Sequence, residues 1–92
     1  MHQAIQDEIG GLLAHLEDAG FEIVESSYDE QSFGDFSIEL RSETARVHII
    51  RDRGQLYLRG DRRQLEPVDL WRVYDDRVAF QAAVLAYLEI GT

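Results

Sequence analysis

Apolar residues in the segment QAIQDEIGGLLAHLEDAG fall at Ile5, Ile9, Leu12, Leu13 and Leu16, that is at i, i+4, i+7, i+8 and i+11. This spacing is one face of a 3.6-residue period and predicts a helix over residues 3–19. Gly20 stands where a left-handed residue would end it. Gly10 and Gly11 interrupt the run, each at about 1 kcal/mol relative to alanine, and point to close packing of this helix against a sheet or, as the alternative, to a weak first turn that frays. The period then changes. In DFSIELR (35–41), Phe36, Ile38 and Leu40 alternate with Asp35, Ser37, Glu39 and Arg41, the pattern of a half-buried strand. FEIVESSY (21–28), ARVHIIR (45–51) and QLYLR (55–59) complete a set of four strands. Short polar links between them predict hairpins and an antiparallel meander.

The last of these links, Asp52-Arg53-Gly54, reads as a three-residue hairpin loop with Gly54 in the left-handed region. That loop sets Arg51 opposite Gln55, Ile50 opposite Leu56 and Ile49 opposite Tyr57. His48, Ile50, Leu56 and Leu58 then share one face, and Val47, Ile49 and Tyr57 the other. A slip of one residue would exchange the two, so which face is buried stays open. Both faces of the third strand are apolar, which calls for a central position or a covered outer face.

Residues 60–75 read as a polar loop followed by a short apolar patch, with Pro67 keeping Glu66 out of a helix. Asp76 is placed to cap a helix over residues 77–89, with Gly91 closing it. RVAFQAAVLAYLE has almost no polar face, and a helix apolar all round is buried on more than one side. Phe80, Val84, Tyr87 and Leu88 are therefore expected at a contact with a second copy or a partner. The expected architecture is a single α+β domain over residues 1–92: a four-stranded antiparallel meander with N- and C-terminal helices, in the order α-β-β-β-β-α.

Charge adds more than length does. The 92 residues carry nine arginines, no lysine and a formal net charge of −9. Residues 1–40 hold ten acidic side chains and no Lys or Arg, whereas residues 41–92 are nearly neutral. A field of this sign repels phosphate backbones and anionic membranes and attracts basic proteins. Nucleic acid and membrane are accordingly not expected as partners. No cysteine is present, so thiol chemistry and thiolate metal sites are excluded. The first residues show neither a basic segment nor an unbroken apolar run, and a cytoplasmic location is expected.

Candidate chemistry is sparse. His2, His15 and His48 do not have metal-ligand spacing, no serine lies in a nucleophile elbow, and no glycine-rich phosphate loop occurs. No metal, no cofactor and no enzymatic activity are expected. Five of the nine arginines fall within residues 47–64, but aspartates are interleaved and no aromatic stacking platform accompanies them. They read as a turn and a solvated edge. The tripeptide Arg59-Gly60-Asp61 is read as coincidence. Glu22, Glu25, Asp29, Glu30, Asp35 and Glu39 come from two neighbouring strands and their link, and can form one acidic docking surface with Phe33 as an anchor. Asp29, Glu30, Phe33 and Asp35 are the residues expected to make that contact. Trp71 with Tyr74 is a second candidate anchor.

SFGDFSIEL followed by ARVHIIRDRGQLYL resembles a pattern in small bacterial proteins, S-F-G-[N/D], an alternating strand, then R-D-R-G-Q. Some proteins of that kind are thought to be immunity proteins of polymorphic toxin systems. The resemblance covers residues 32–58. It implies a non-catalytic protein that neutralises a basic toxin or effector by binding it, which agrees with the charge argument. The alternative is a homodimeric acidic chaperone or adaptor that uses the last helix as its interface.

Overall fold

The computed structural model describes residues 3–29, 31 and 34–89. Helix α1 (Gln3–Asp18) leads into strands β1 (Glu22–Asp29), β2 (Asp35–Arg41), β3 (Arg46–Asp52) and β4 (Gln55–Leu58). A single turn of helix, α2 (Arg62–Leu65), runs on into a 3-10 turn (Glu66–Val68), and α3 (Arg77–Tyr87) follows. The strands form one antiparallel sheet in the order β1-β2-β3-β4, so the α+β meander expected from the pattern is the fold. Among the described residues, no helix is long and apolar enough to cross a membrane.

One face of the sheet carries the helices. Ile5, Ile9, Leu12, Leu13 and Leu16 of α1 meet Phe36, Ile38 and Leu40 of β2, Val47 and Ile49 of β3, and Leu56 and Leu58 of β4 in one buried cluster. Each large side chain fully enclosed there contributes about 1.5–3 kcal/mol relative to exposure. Helix α1 ends as expected. Phe21 N–H bonds to the Leu16 carbonyl and Gly20 N–H to that of Glu17, both at 3.0 Å, with Gly20 at φ 97°. This is a Schellman close, and it buries Phe21 with Leu16. The glycine pair lies beside a break in helical geometry at Ile9 (φ −132°, ψ 20°). Gly11 faces α3 rather than the sheet, since a Cβ there would lie 3.5 Å from Oε1 of Gln81.

The β3–β4 register corrects the expected one. Asp52 pairs with Gln55, Arg51 with Leu56, Ile50 with Tyr57 and Ile49 with Leu58. The loop has two residues, Arg53 (φ 54°) and Gly54 (φ 81°), the dihedral signs of a type I′ turn. Arginine rarely accepts a positive φ, which is why the sequence favours the longer loop. Val47, Ile49, Leu56 and Leu58 therefore face the core, and His48, Ile50 and Tyr57 face outward, half-buried. The third strand is central, flanked by β2 and β4.

Three further expectations change. Glu66 is helical (φ −62°, ψ −45°), because Pro67 enters the first turn of a new segment where an N–H is not required. Asp76 caps α3 as expected, accepting Val78 N–H at 2.8 Å, but α3 ends at Tyr87. Gly91 lies outside the described residues. Phe80 and Val84 are fully enclosed within the single chain, and Tyr87 and Leu88 pack half-buried against the same core. Phe80 and Val84 are therefore core residues rather than contacts for a second copy. Helix α3 is apolar on two sides because α1 and the β4 side of the sheet both cover it. Its exposed side is short: Val78, Ala79, Ala82 and Ala86.

Candidate functional site

Among the described residues nothing forms a second layer over the sheet face opposite the helices, and the register arranges its side chains in rows. Ser27, Ser37, Ile50 and Tyr57 form one row across all four strands. On one side of it Glu25 lies opposite Glu39, which lies opposite His48. On the other side Asp29 lies opposite Asp35. Asp29, Asp35, Asp52, His48, Tyr57 and Arg59 rim a shallow concavity of about 330 Å³ centred on the serine–isoleucine–tyrosine row. Negative charge is concentrated on β1 and β2, while His48 and Arg59 stand on β3 and just past β4.

Of the four residues expected at a docking surface, Asp29 and Asp35 come together as a cross-strand pair. Glu30 and Phe33 lie outside the described residues. Both aspartates also hold backbone. Asp29 Oδ1 accepts Gln31 N–H at 2.9 Å, and Asp35 Oδ1 accepts Arg53 N–H at 2.9 Å. Asp35 further faces Arg51 Nη1 at 3.7 Å, and Arg51 Nε lies 3.7 Å from Glu8 on α1. Glu25 and Glu39 have no such duty, making no hydrogen bond or ion pair among the described residues. Like charges directly opposite in a ladder are destabilising, so this pair costs stability without repaying it in the fold.

The arginine-rich stretch does not form one patch. Arg51 ties β3 to α1, and Arg62 pairs with Glu66 at 2.5 Å along α2. Asp61 accepts Arg63 N–H as the α2 cap, so the Arg59-Gly60-Asp61 tripeptide has a local structural use. The second candidate anchor divides in two. Tyr74 is buried, donating its hydroxyl to the Asp69 carbonyl with the Arg72 guanidinium 4.5 Å from its ring centre. Burial first, and the Asp69 carboxylate second, push the Tyr74 phenol above the usual tyrosine range. Trp71, by contrast, is 48% exposed. It borders a second, apolar groove of about 330 Å³ between β4 and residues 70–73. Exposed tryptophan cannot be told from core tryptophan by pattern alone. Among the described residues, no group of three or more His, Asp or Glu side chains is arranged to hold a metal ion.

The fold and this face define an α+β domain with a four-stranded antiparallel meander, helices on one side and an open, acidic sheet surface on the other. The chain matches no family model, no curated protein and no solved structure.

Proposed function

We propose that this is a non-catalytic protein-binding domain whose open sheet face docks on a basic protein, and that it acts as an immunity-type inhibitor of a basic toxin or effector. The Glu25–Glu39 opposition carries the reading. A sheet that had only to stay folded and soluble gains nothing from two carboxylates set face to face with no ion pair to either among the described residues. A partner's Lys or Arg side chains, placed over this row, would turn a destabilising contact into a favourable one and steer encounter through the net charge of −9. Ile50 and Tyr57, half-buried in the adjoining row, supply the apolar contact that pure charge lacks. A homodimeric chaperone loses its main support, since Phe80 and Val84 of its expected interface lie in the core.

Affinity capture of the tagged protein from its own cells' lysate, washed at low and high salt, tests this. A stoichiometric basic partner, released by salt and lost on Glu25→Arg, is the expected result. Recovery of nothing but untagged copies of the chain itself would reduce the acidic face to a solubility feature.

A further inference from the structure

The two edges of the sheet are finished differently. At β1 a bulge between Ile23 and Glu25, together with the charged Glu22 and Glu25, discourages another strand from pairing. At β4 the described residues close the edge in one place, where Leu56 and Tyr74 exchange backbone bonds, N–H to O at 2.8 and 2.7 Å. Peptide orientation alternates along a strand, and Arg59 N–H bonds inward to the His48 carbonyl at 2.9 Å. Leu58 therefore points its N–H and C=O outward, as Leu56 does. Among the described residues nothing takes them up. The segment that would pair there swings away and leaves the apolar groove walled by Leu58, Leu70, Trp71 and Val73. Trp71 and Val73 are 48% and 45% exposed.

We propose that this groove receives an extended, acidic segment of another polypeptide, which adds to β4 as a short fifth strand. Its backbone pairs with Leu58, and an apolar side chain seats against Trp71, the pairing of main-chain bonds with a side-chain pocket that strand addition uses. The charge of the segment follows from the rim. The charged residues lining the groove are Arg59 and Arg72, in a chain that is otherwise strongly acidic. Arg59 has no ion pair among the described residues, and Arg72, whose guanidinium lies over the Tyr74 ring, has exposed Asp69 at 3.4 Å as its one ion-pair partner among them. Carboxylates flanking the apolar anchor satisfy both guanidiniums. This site adjoins the acidic face, sharing Tyr57 and Arg59 at the border, but it opens on the β4 edge and takes a ligand of the opposite charge.

Trp71 is the chain's one tryptophan, so its emission reports the groove directly. The probes are blocked seven-residue peptides alternating valine and phenylalanine with glutamate, the same series with lysine, and the glutamate series N-methylated along one backbone edge. The glutamate peptide is expected to shift Trp71 emission to shorter wavelength and to slow hydrogen exchange at the Leu58 amide. Arg59→Glu, a surface change that leaves the fold intact, is expected to weaken it roughly tenfold or more, as are the lysine and N-methyl substitutions in the peptide. No emission change with the glutamate peptide overturns the proposal. So does equal binding of the lysine peptide or by Arg59→Glu. Equal binding of the N-methylated peptide overturns it too, and would make the groove a pocket for an apolar group without strand pairing.

Discussion

Glu25 lies directly opposite Glu39 across the β1–β2 ladder, and Glu39 in turn lies opposite His48. Replacing Glu25 with arginine turns the repulsion into attraction. Glu25→Arg is expected to raise the stability of the free protein by about 0.2–1 kcal/mol, seen as a higher urea midpoint at unchanged slope. The same variant is expected to capture its partner poorly. A variant both less stable and fully competent in capture would remove the row from the binding surface.

Arg53 occupies the first central position of a type I′ turn at φ 54°, a conformation that costs an ordinary L-residue about 1–2 kcal/mol. Asparagine tolerates it far better, and the backbone N–H that Arg53 gives to Asp35 is retained. Arg53→Asn is expected to stabilise the protein by about 0.5–1 kcal/mol in chemical denaturation. A loss instead would mean that the guanidinium makes a contact worth more than the turn strain.

Gly11 is a helix-interior glycine with ordinary van der Waals room for a methyl group against Gln81. Gly11→Ala is expected to gain up to about 1 kcal/mol from helix propensity. Leu12→Ala, one residue on and fully buried, is expected to lose about 2–5 kcal/mol. If Gly11→Ala destabilises, the close approach of α1 and α3 is tighter than the Cβ spacing implies.

Burial and Asp69 raise the Tyr74 phenol above its unfolded value of about 10. The folded state thus holds the proton more tightly than the unfolded state. This contribution is complete below about pH 10 and is lost as pH rises through the folded value. Alkaline titration followed by phenolate absorption is expected to show one of the four tyrosines ionising late, together with unfolding. Tyr74→Phe should abolish that last step and, by removing the bond to Asp69, cost about 0.5–1.5 kcal/mol at neutral pH.

Where a residue's role is local, the sequence announced it. The period of Ile5 to Leu16, the αL stop at Gly20 and the cap at Asp76 each depend on a few neighbours, and each is as expected. The β3–β4 register is not legible in the sequence because Arg53 sits where glycine or asparagine is usual, so a strained residue hides the shorter loop. That one-residue slip decided which of Leu56 and Tyr57 faces water, and with it the composition of the open face. The acidic stretch is visible in the sequence, but the face-to-face setting of Glu25 and Glu39 depends on the β1–β2 hairpin register, which runs unbroken from Asp29 opposite Asp35 to Glu25 opposite Glu39 and which no pattern of residues specifies. Phe80 and Val84 read as interface residues because so short a chain offers little material to cover them. Helix α1, from the far end of the described chain, supplies it.

That α1–α3 contact has a consequence for how the protein is made. The meander joins strands that are close neighbours along the chain, so it can assemble while synthesis is still under way. The layer over it cannot. Arg77 at the start of α3 reaches back to the carbonyl of Asp7 at 3.0 Å, seventy positions away. Until α3 has left the ribosome, the sheet and α1 present a bare apolar seam where Phe80 and Val84 will lie. The nascent chain is most vulnerable to aggregation in that interval, although the open face of the meander, built from β1 to β4 alone, can already be in place.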